Sequence, residues 1–151
     1  MYKVSLGADH AGFPLKEALK KHLDLKEITY IDCGTFSEGS CDYAVFAKKA
    51  CEKVIAGEAE FALLCCGTGV GISIAANKIN GIRAAAVSDY FSAKYTRLHN
   101  DANVLCLGSR VVGAGLASEL LDIFLNTEFE GGERHIRRIS QITEIEKDNI
   151  Q

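Results

Sequence analysis

Five short apolar runs alternate with five longer amphipathic stretches along this chain, and that alternation leaves few folds open. The runs are Val4-Ser5-Leu6-Gly7-Ala8, Ile28-Thr29-Tyr30-Ile31, Phe61 to Cys65, Arg83 to Val87 and Val104-Leu105-Cys106-Leu107, each of strand length. Leu15 to Leu23, Tyr43 to Ile55, Gly71 to Lys78, Tyr90 to His99 and Leu116 to Leu125 carry apolar residues at helical spacing. Punctuation agrees with this division. Pro14 suits a first helical turn, Asp42 and Asp89 can cap helices, and Gly57 and Gly81 follow helical stretches. A βα unit repeated five times predicts an α/β fold, a Rossmann-like doubly wound three-layer sandwich with a five-stranded parallel sheet and right-handed crossovers. Five units are too few for a closed barrel, which takes eight, and the expected strand order is 2-1-3-4-5. With 151 residues the chain reads as one domain, 1–151, ending in a polar loop and helix over about 128–151.

Charge and composition exclude several classes. A net charge of −3 argues against nucleic acid as a partner, since a binding face for it is basic. No apolar stretch approaches the roughly 20 residues that span a bilayer, and none near Met1 precedes a small-residue cleavage site. No membrane association is expected, and a cytoplasmic location is. The six cysteines, at 33, 41, 51, 65, 66 and 106, lack compact spacing, so reduced thiols are expected. Neither C-x-x-C nor a cysteine and histidine cluster of zinc spacing occurs, and no metal or cofactor is expected.

Chemistry concentrates at the end of the third apolar run. Phe61-Ala62-Leu63-Leu64-Cys65-Cys66 leads into Gly67-Thr68-Gly69-Val70-Gly71, a strand closing in a glycine-rich turn that opens a helix. Three glycines in five positions let amide N–H groups converge on an oxyanion or phosphate. The turn is not a Walker loop, because no lysine follows Gly71, and its glycine spacing differs from G-x-G-x-x-G. A tight connection that merely needs glycine is the plain alternative. Cys65 and Cys66 are adjacent in a strand, so their side chains point to opposite faces, one to the core and one free to face a site. Cys66 precedes a helix start, where a thiolate is stabilised. Cys33, Cys51, Cys65 and Cys106 read as packing residues.

In the expected order, strands 1 and 3 are neighbours, and ligands bind at the C-terminal ends of such a pair. Asp9-His10-Ala11-Gly12 and Cys66-Gly67-Thr68-Gly69 therefore converge on one crevice, with a third contribution expected from His99-Asn100-Asp101. Asp9 and His10 suit acid–base work, or Asp9 ties down loop amides. Arg134 and Arg138, four apart, share one helical face and read either as an anion clamp or as a solvated basic turn. His22 belongs to a charged helix face, and His135 has no assigned role.

These segments together resemble the ribose-5-phosphate isomerase B family, which also holds galactose-6-phosphate isomerase subunits. The resemblance rests on Gly7-Ala8-Asp9-His10-Ala11-Gly12-Phe13, Asp32-Cys33-Gly34-Thr35, Asp42-Tyr43, Cys66 to Gly71, Ala76-Asn77-Lys78 with Gly81-Ile82-Arg83-Ala84-Ala85, His99-Asn100-Asp101, Leu107-Gly108-Ser109-Arg110 and Gly131 to Arg138. It covers nearly the whole chain. It implies metal-independent interconversion of ribose 5-phosphate and ribulose 5-phosphate through a cis-enediolate. By resemblance, Cys66 shuttles the proton between C2 and C1, and Thr68 assists proton movement between oxygens. The amides of Gly67, Gly69, Val70 and Gly71 hold the enediolate. His99 opens the furanose ring, Asp9 binds a sugar hydroxyl or the ring oxygen, and Asn100 contacts the sugar. His10, Arg110, Arg134 and Arg138 match phosphate-associated positions, and Tyr43 is a further candidate at the sugar. The family shares its pocket between subunits, so the resemblance implies a homodimer or dimer of dimers in which His99, Asn100 and Arg110 serve the partner's site.

Three departures stand out. Ile72 occupies a position where some relatives carry a glutamate base, leaving Cys66 as the base. Ala44 replaces the usual proline after Asp-Tyr, and Glu133 is inserted between Gly132 and Arg134. A galactose-6-phosphate or allose-6-phosphate isomerase is the near rival. A non-catalytic sugar-phosphate-binding module and a redox pair at Cys65-Cys66 are rivals of other classes.

Overall fold

The computed structural model describes residues 1–150. Its elements run β1 (Tyr2–Ala8), α1 (Phe13–Leu25), β2 (Tyr30–Asp32), α2 (Tyr43–Ile55), β3 (Ala59–Cys66), α3 (Val70–Ala76), β4 (Ala84–Ala86), α4 (Tyr90–Asn100), β5 (Val104–Gly108), α5 (Ala114–Asn126) and α6 (Glu133–Asp148). All strand pairs are parallel. Five strands, each followed by a helix, thus match the alternation of the sequence, and α6 is the helix of the polar C-terminal segment. Gln151, the last residue of that segment, lies outside the described residues.

Strand order is β2-β1-β3-β5-β4, which corrects the expected 2-1-3-4-5 at its last two positions. The reason is the side chains available to each strand. β5 offers Val-Leu-Cys-Leu and is buried along its whole length, whereas β4 is three alanines, partly exposed. An interior strand of a parallel sheet must be apolar on both faces, so β5 takes the place beside β3 and β4 the edge.

Two cores flank the sheet. Leu15, Leu19 and Leu23 of α1, Ala93 of α4, and Leu120, Leu121 and Phe124 of α5 cover one face. Ala47, Ala50 and Cys51 of α2 and Ile72 and Ala76 of α3 cover the other. Each leftward crossover carries its helix on the first face and each rightward one on the second, the single handedness expected of βαβ units. Cys65 packs in the first core and Cys66 against the second, as alternation along β3 requires.

Helix ends follow local chemistry. Asp89 caps α4, its Oδ1 accepting from the Ser92 N–H at 2.8 Å, while Asp42 stands at the N-cap of α2 without a side-chain bond. Lys16 is fully buried and held by both Asp32 oxygens at 2.7 Å, so its ammonium is paired where it cannot reach water. Only His135 of the 16 residues of α6 is buried. A helix of that length with so little covered is unusual for a single chain.

Candidate active site

The C-terminal ends of β1, β3 and β5 are laced together. Ala8 registers with Cys65, and Cys66 with Gly108. Beyond the strands, the Asp9 N–H donates to Cys65 O at 3.2 Å, Ser109 N–H to Cys66 O at 2.9 Å, and Arg110 N–H to Gly67 O at 3.0 Å. The Ser109 hydroxyl donates to Ala11 O at 2.6 Å. A β-carbon on Gly12 would stand 2.1 Å from Cys65 O, so only glycine lets the first loop press this close to β3.

Cys66, buried with 4% of its surface exposed, ends β3 at this crevice. Gly69 has φ +79°, and this left-handed turn aims its N–H at Cys66 Sγ, 3.1 Å away. The sulfur thus accepts a backbone hydrogen bond directly before the start of α3. Thr68 is exposed, and its Oγ1 accepts from the Val70 N–H at 3.2 Å. Gly71 N–H and Ile72 N–H belong to the first turn of α3, where no helical carbonyl precedes to receive them. Arg110 lies beside Gly67, its Nη1 3.4 Å from where a β-carbon would project. Tyr43 packs on Gly71 in the same way, at 2.9 Å.

Asp9 is buried, and its Oδ1 accepts from the Gly12 N–H at 2.8 Å, the loop-tying contact that the residue type allows. His10 Nδ1 sits 3.2 Å from both the N–H and the carbonyl of Cys41, which orients the ring at the crevice. The other thiols are of a different kind. Burial pushes Cys51 up to about 12 and raises Cys33, Cys65 and Cys106 as well, so none of these four is a ready nucleophile near neutral pH.

His99 lies elsewhere, which corrects the expectation that it joins Asp9 and Cys66 within one chain. α4 runs antiparallel to the strands, so its last turn lies at the edge of the sheet where strands begin. Arg83, just before β4, donates through Nε to Asn100 O at 3.0 Å and Asp101 O at 3.1 Å. Cys66 pairs with Gly108, four residues beyond Val104 along β5. At ~3.3 Å per residue the two levels are ~13 Å apart along the strand, with His99 further back still.

Around His99 a second constellation assembles. His99 stacks on His135 with ring centroids 4.2 Å apart, and Glu130 Oε1 lies 2.7 Å from His135 Nε2 and 3.9 Å from His99 Nε2. Arg134 Nε approaches the same His135 nitrogen at 3.2 Å. Arg138, one turn on, is exposed. An open groove of about 910 Å³ runs past Asn100, Arg83, Lys78 and the α6 residues Ile142 and Ile145 at this end of the molecule. Of the sequence-derived site residues, Cys66, Gly67, Thr68, Gly69, Val70, Gly71, Asp9, His10, Arg110 and Tyr43 therefore gather at one end. His99, Asn100, Arg134 and Arg138 belong to the other. Arg110 stands beside its own chain's glycine turn and not with His99.

The sequence pattern of the Ribose/Galactose Isomerase family matches residues 4–142. The chain belongs to this family. It is 48% identical over 147 residues to ribose-5-phosphate isomerase B of Escherichia coli, covering 97% of this chain and 98% of that one. It is 40% identical over 149 residues to the galactose-6-phosphate isomerase subunit LacB of Clostridium acetobutylicum, covering 98% of this chain and 86% of the relative. The solved structure of Clostridium thermocellum ribose-5-phosphate isomerase B superposes with a TM-score of 0.94 at 46% identity, over 97% of this chain and 98% of that one. The α/β fold of the isomerase family is thus shown for this chain by sequence and by structure together.

Sequence reasoning missed Glu130 and left His135 without a role. Neither has a local signature, because the cluster forms only when the loop before α6 docks on the end of α4, where the Glu130 N–H donates to Leu98 O at 3.2 Å. Among the described residues, no helix is long and apolar enough to cross a membrane.

Proposed function

We propose that this chain interconverts D-ribose 5-phosphate and D-ribulose 5-phosphate without a metal, in sites that each combine the Cys66 end of one subunit with the His99 end of another. The observation that carries the chemistry is the 3.1 Å contact from the Gly69 N–H to Cys66 Sγ, a backbone donor that reaches the one buried thiol standing where β3 meets the glycine turn.

The aldose first opens. His99 donates a proton to the ring oxygen as the C1–O bond breaks, and a base takes the proton of the C1 hydroxyl to leave the aldehyde. Asp9 orients the sugar hydroxyls. Cys66 thiolate then removes the C2 proton, the C2–H electrons form the C1=C2 bond, and the carbonyl electrons move onto O1. The resulting cis-enediolate faces the turn Gly67 to Gly71, where the Gly67 and Gly71 amides supply preorganised donors of a kind worth roughly 3–4 kcal/mol each, while the Gly69 and Val70 N–H groups meet Cys66 Sγ and Thr68 Oγ1. Thr68 passes a proton between O2 and O1. Cys66 returns its proton to C1, and the ketose is formed with no net change in protons. His10, Arg110, Arg134 and Arg138 grip the phosphate, arginine being suited by its paired planar donors. Remote binding of the phosphate in turn holds C1 and C2 at the thiol.

Geometry supports sharing. The reacting carbons of one pentose cannot reach both a thiol at one edge of the sheet and an imidazole at the other. A homodimer or dimer of dimers brings them together, and the almost uncovered α6, which carries Arg134 and Arg138, is the element with surface to spare for a partner.

The near alternative is a hexose substrate, because a named relative is a galactose-6-phosphate isomerase subunit. Purified protein assayed with ribose 5-phosphate, allose 6-phosphate and galactose 6-phosphate decides between them. The highest kcat/KM is expected for ribose 5-phosphate, and a preference for either hexose phosphate would overturn that choice. A binding module without catalysis would turn over none of them.

A further inference from the structure

Four rings follow one another at the His99 end of the molecule. Phe91 stacks on Tyr95 with centroids 4.1 Å apart, Tyr95 meets His99 edge-on at 4.8 Å, and His99 lies flat on His135 at 4.2 Å with 12° between planes. Phe91, Tyr95 and His99 recur every four residues on one face of α4, while His135 arrives from α6. The plane of the His99 ring is therefore fixed from both sides. Glu130 completes the group, its Oε1 at hydrogen-bond distance from His135 Nε2, 2.7 Å, and at ion-pair distance from His99 Nε2, 3.9 Å.

This arrangement is a stack and not a chelate. His99, Glu130 and His135 offer ligand atoms within 4.8 Å of one another, as a metal site does. However, imidazoles lying face to face send their lone pairs along parallel lines, whereas ligands must converge on an ion. The Arg134 guanidinium beside His135 also repels a cation. His135 Nε2 cannot at once donate to Glu130 and accept from Arg134, and the shorter contact, 2.7 Å against 3.2 Å, selects an Nε2–H donating to the carboxylate.

We propose that Glu130 and His135 are positioning residues for His99: they hold its ring in one orientation and make it the member of the stack that takes up and releases a proton. This rests on the reading of His99 as the ring-opening group. Two stacked imidazoles resist a second positive charge, so protonation of one opposes protonation of the other. His135 is pushed below its ordinary value, first by burial and then by His99, with Arg134 and Arg138 acting in the same direction and Glu130 against it. His135 is thereby held as the neutral donor to Glu130, 2.7 Å away. Tyr95 from α4, Glu130 from the preceding loop and Arg134 and Arg138 from α6 are the polar groups that face the stack.

The test uses the full-length protein with Glu130→Gln, which alters a partly exposed side chain, and His135→Gln. Ribulose 5-phosphate cannot close to a furanose because its C5 oxygen carries the phosphate, so deuterium uptake at its C1 from D2O needs the thiol base but no ring opening. In both variants turnover of ribose 5-phosphate is expected to fall by roughly tenfold, less than the roughly 10²–10⁴-fold of a deleted acid–base group, with C1 uptake near the wild-type rate. The NMR titration of His99 is expected to move down in Glu130→Gln, which removes a negative neighbour, and up in His135→Gln, which takes away the stacked ring and opens that face of His99 to water. Unchanged turnover, uptake that falls in parallel with turnover, or a His99 titration that moves the same way in both variants would overturn the proposal. Failure of the underlying reading looks different, since His99→Asn would then leave turnover of ribose 5-phosphate intact.

Discussion

Cys66 closes β3 in register with Gly108, the last residue of β5, whereas His99 lies five residues before Val104, the first residue of that strand. Thiol and imidazole therefore belong to opposite edges of one sheet, and every catalytic statement about this chain has to respect that separation.

The two adjacent thiols separate chemistry from packing. Cys66→Ala is expected to lower kcat by roughly 10²–10⁴-fold or more, as for loss of an acid–base group, with affinity for a sugar phosphate largely kept. Cys65→Ala, on the opposite face, is expected to leave kcat near wild type. Steady-state kinetics with calorimetric binding checks both. Equal effects of the two substitutions would contradict the assignment of the base.

Gly69 holds the turn that serves the thiol. Alanine there would sit at φ +79° with its β-carbon 2.9 Å from the Leu107 carbonyl carbon. A cost of about 1–3 kcal/mol follows from the left-handed backbone alone, and urea unfolding measures it. Activity is expected to fall further than stability, because the N–H that faces Sγ moves with the backbone.

His135 ties stability to pH. Its affinity for a proton is lower in the fold than its ordinary value of 6.5 because burial disfavours the charged ring. Below that value the unfolded chain binds more protons than the native one, so stability falls as pH falls. The contribution is complete above 6.5 and is lost as pH drops through the lower folded value. Urea midpoints at about pH 7.5 and about pH 5.5 are expected to differ less in His135→Gln than in wild type; an equal difference would remove His135 from the account.

What could be read from the sequence is what is local. The helix Tyr43 to Ile55 has the bounds that its apolar spacing indicates, and the glycine turn after Cys66 is contiguous in the chain. The exchange of β4 and β5 was hidden because it depends on a comparison across the sheet: three alanines cannot fill both faces of an interior position, and Val104 to Leu107 can. The cluster of Glu130, His135 and His99 was hidden for the same reason, since α6 must pack on α4 before it exists. Placement of His99 failed for a third. Neighbouring strands predict a shared crevice at their C-terminal ends, but a residue at the end of a helix returns to the other edge.

Mixed subunits give the most direct test of a site built across chains. Neither Cys66→Ala nor His99→Asn is expected to turn over ribose 5-phosphate at more than a small fraction of the wild-type rate. When the two are unfolded together in equal amounts and refolded, half the dimers contain one chain of each, and one of their two sites has both Cys66 and His99 intact. Recovery of about a quarter of wild-type activity is predicted for such a two-fold assembly. No recovery beyond the sum of the parents, in material shown to contain mixed dimers, would contradict it.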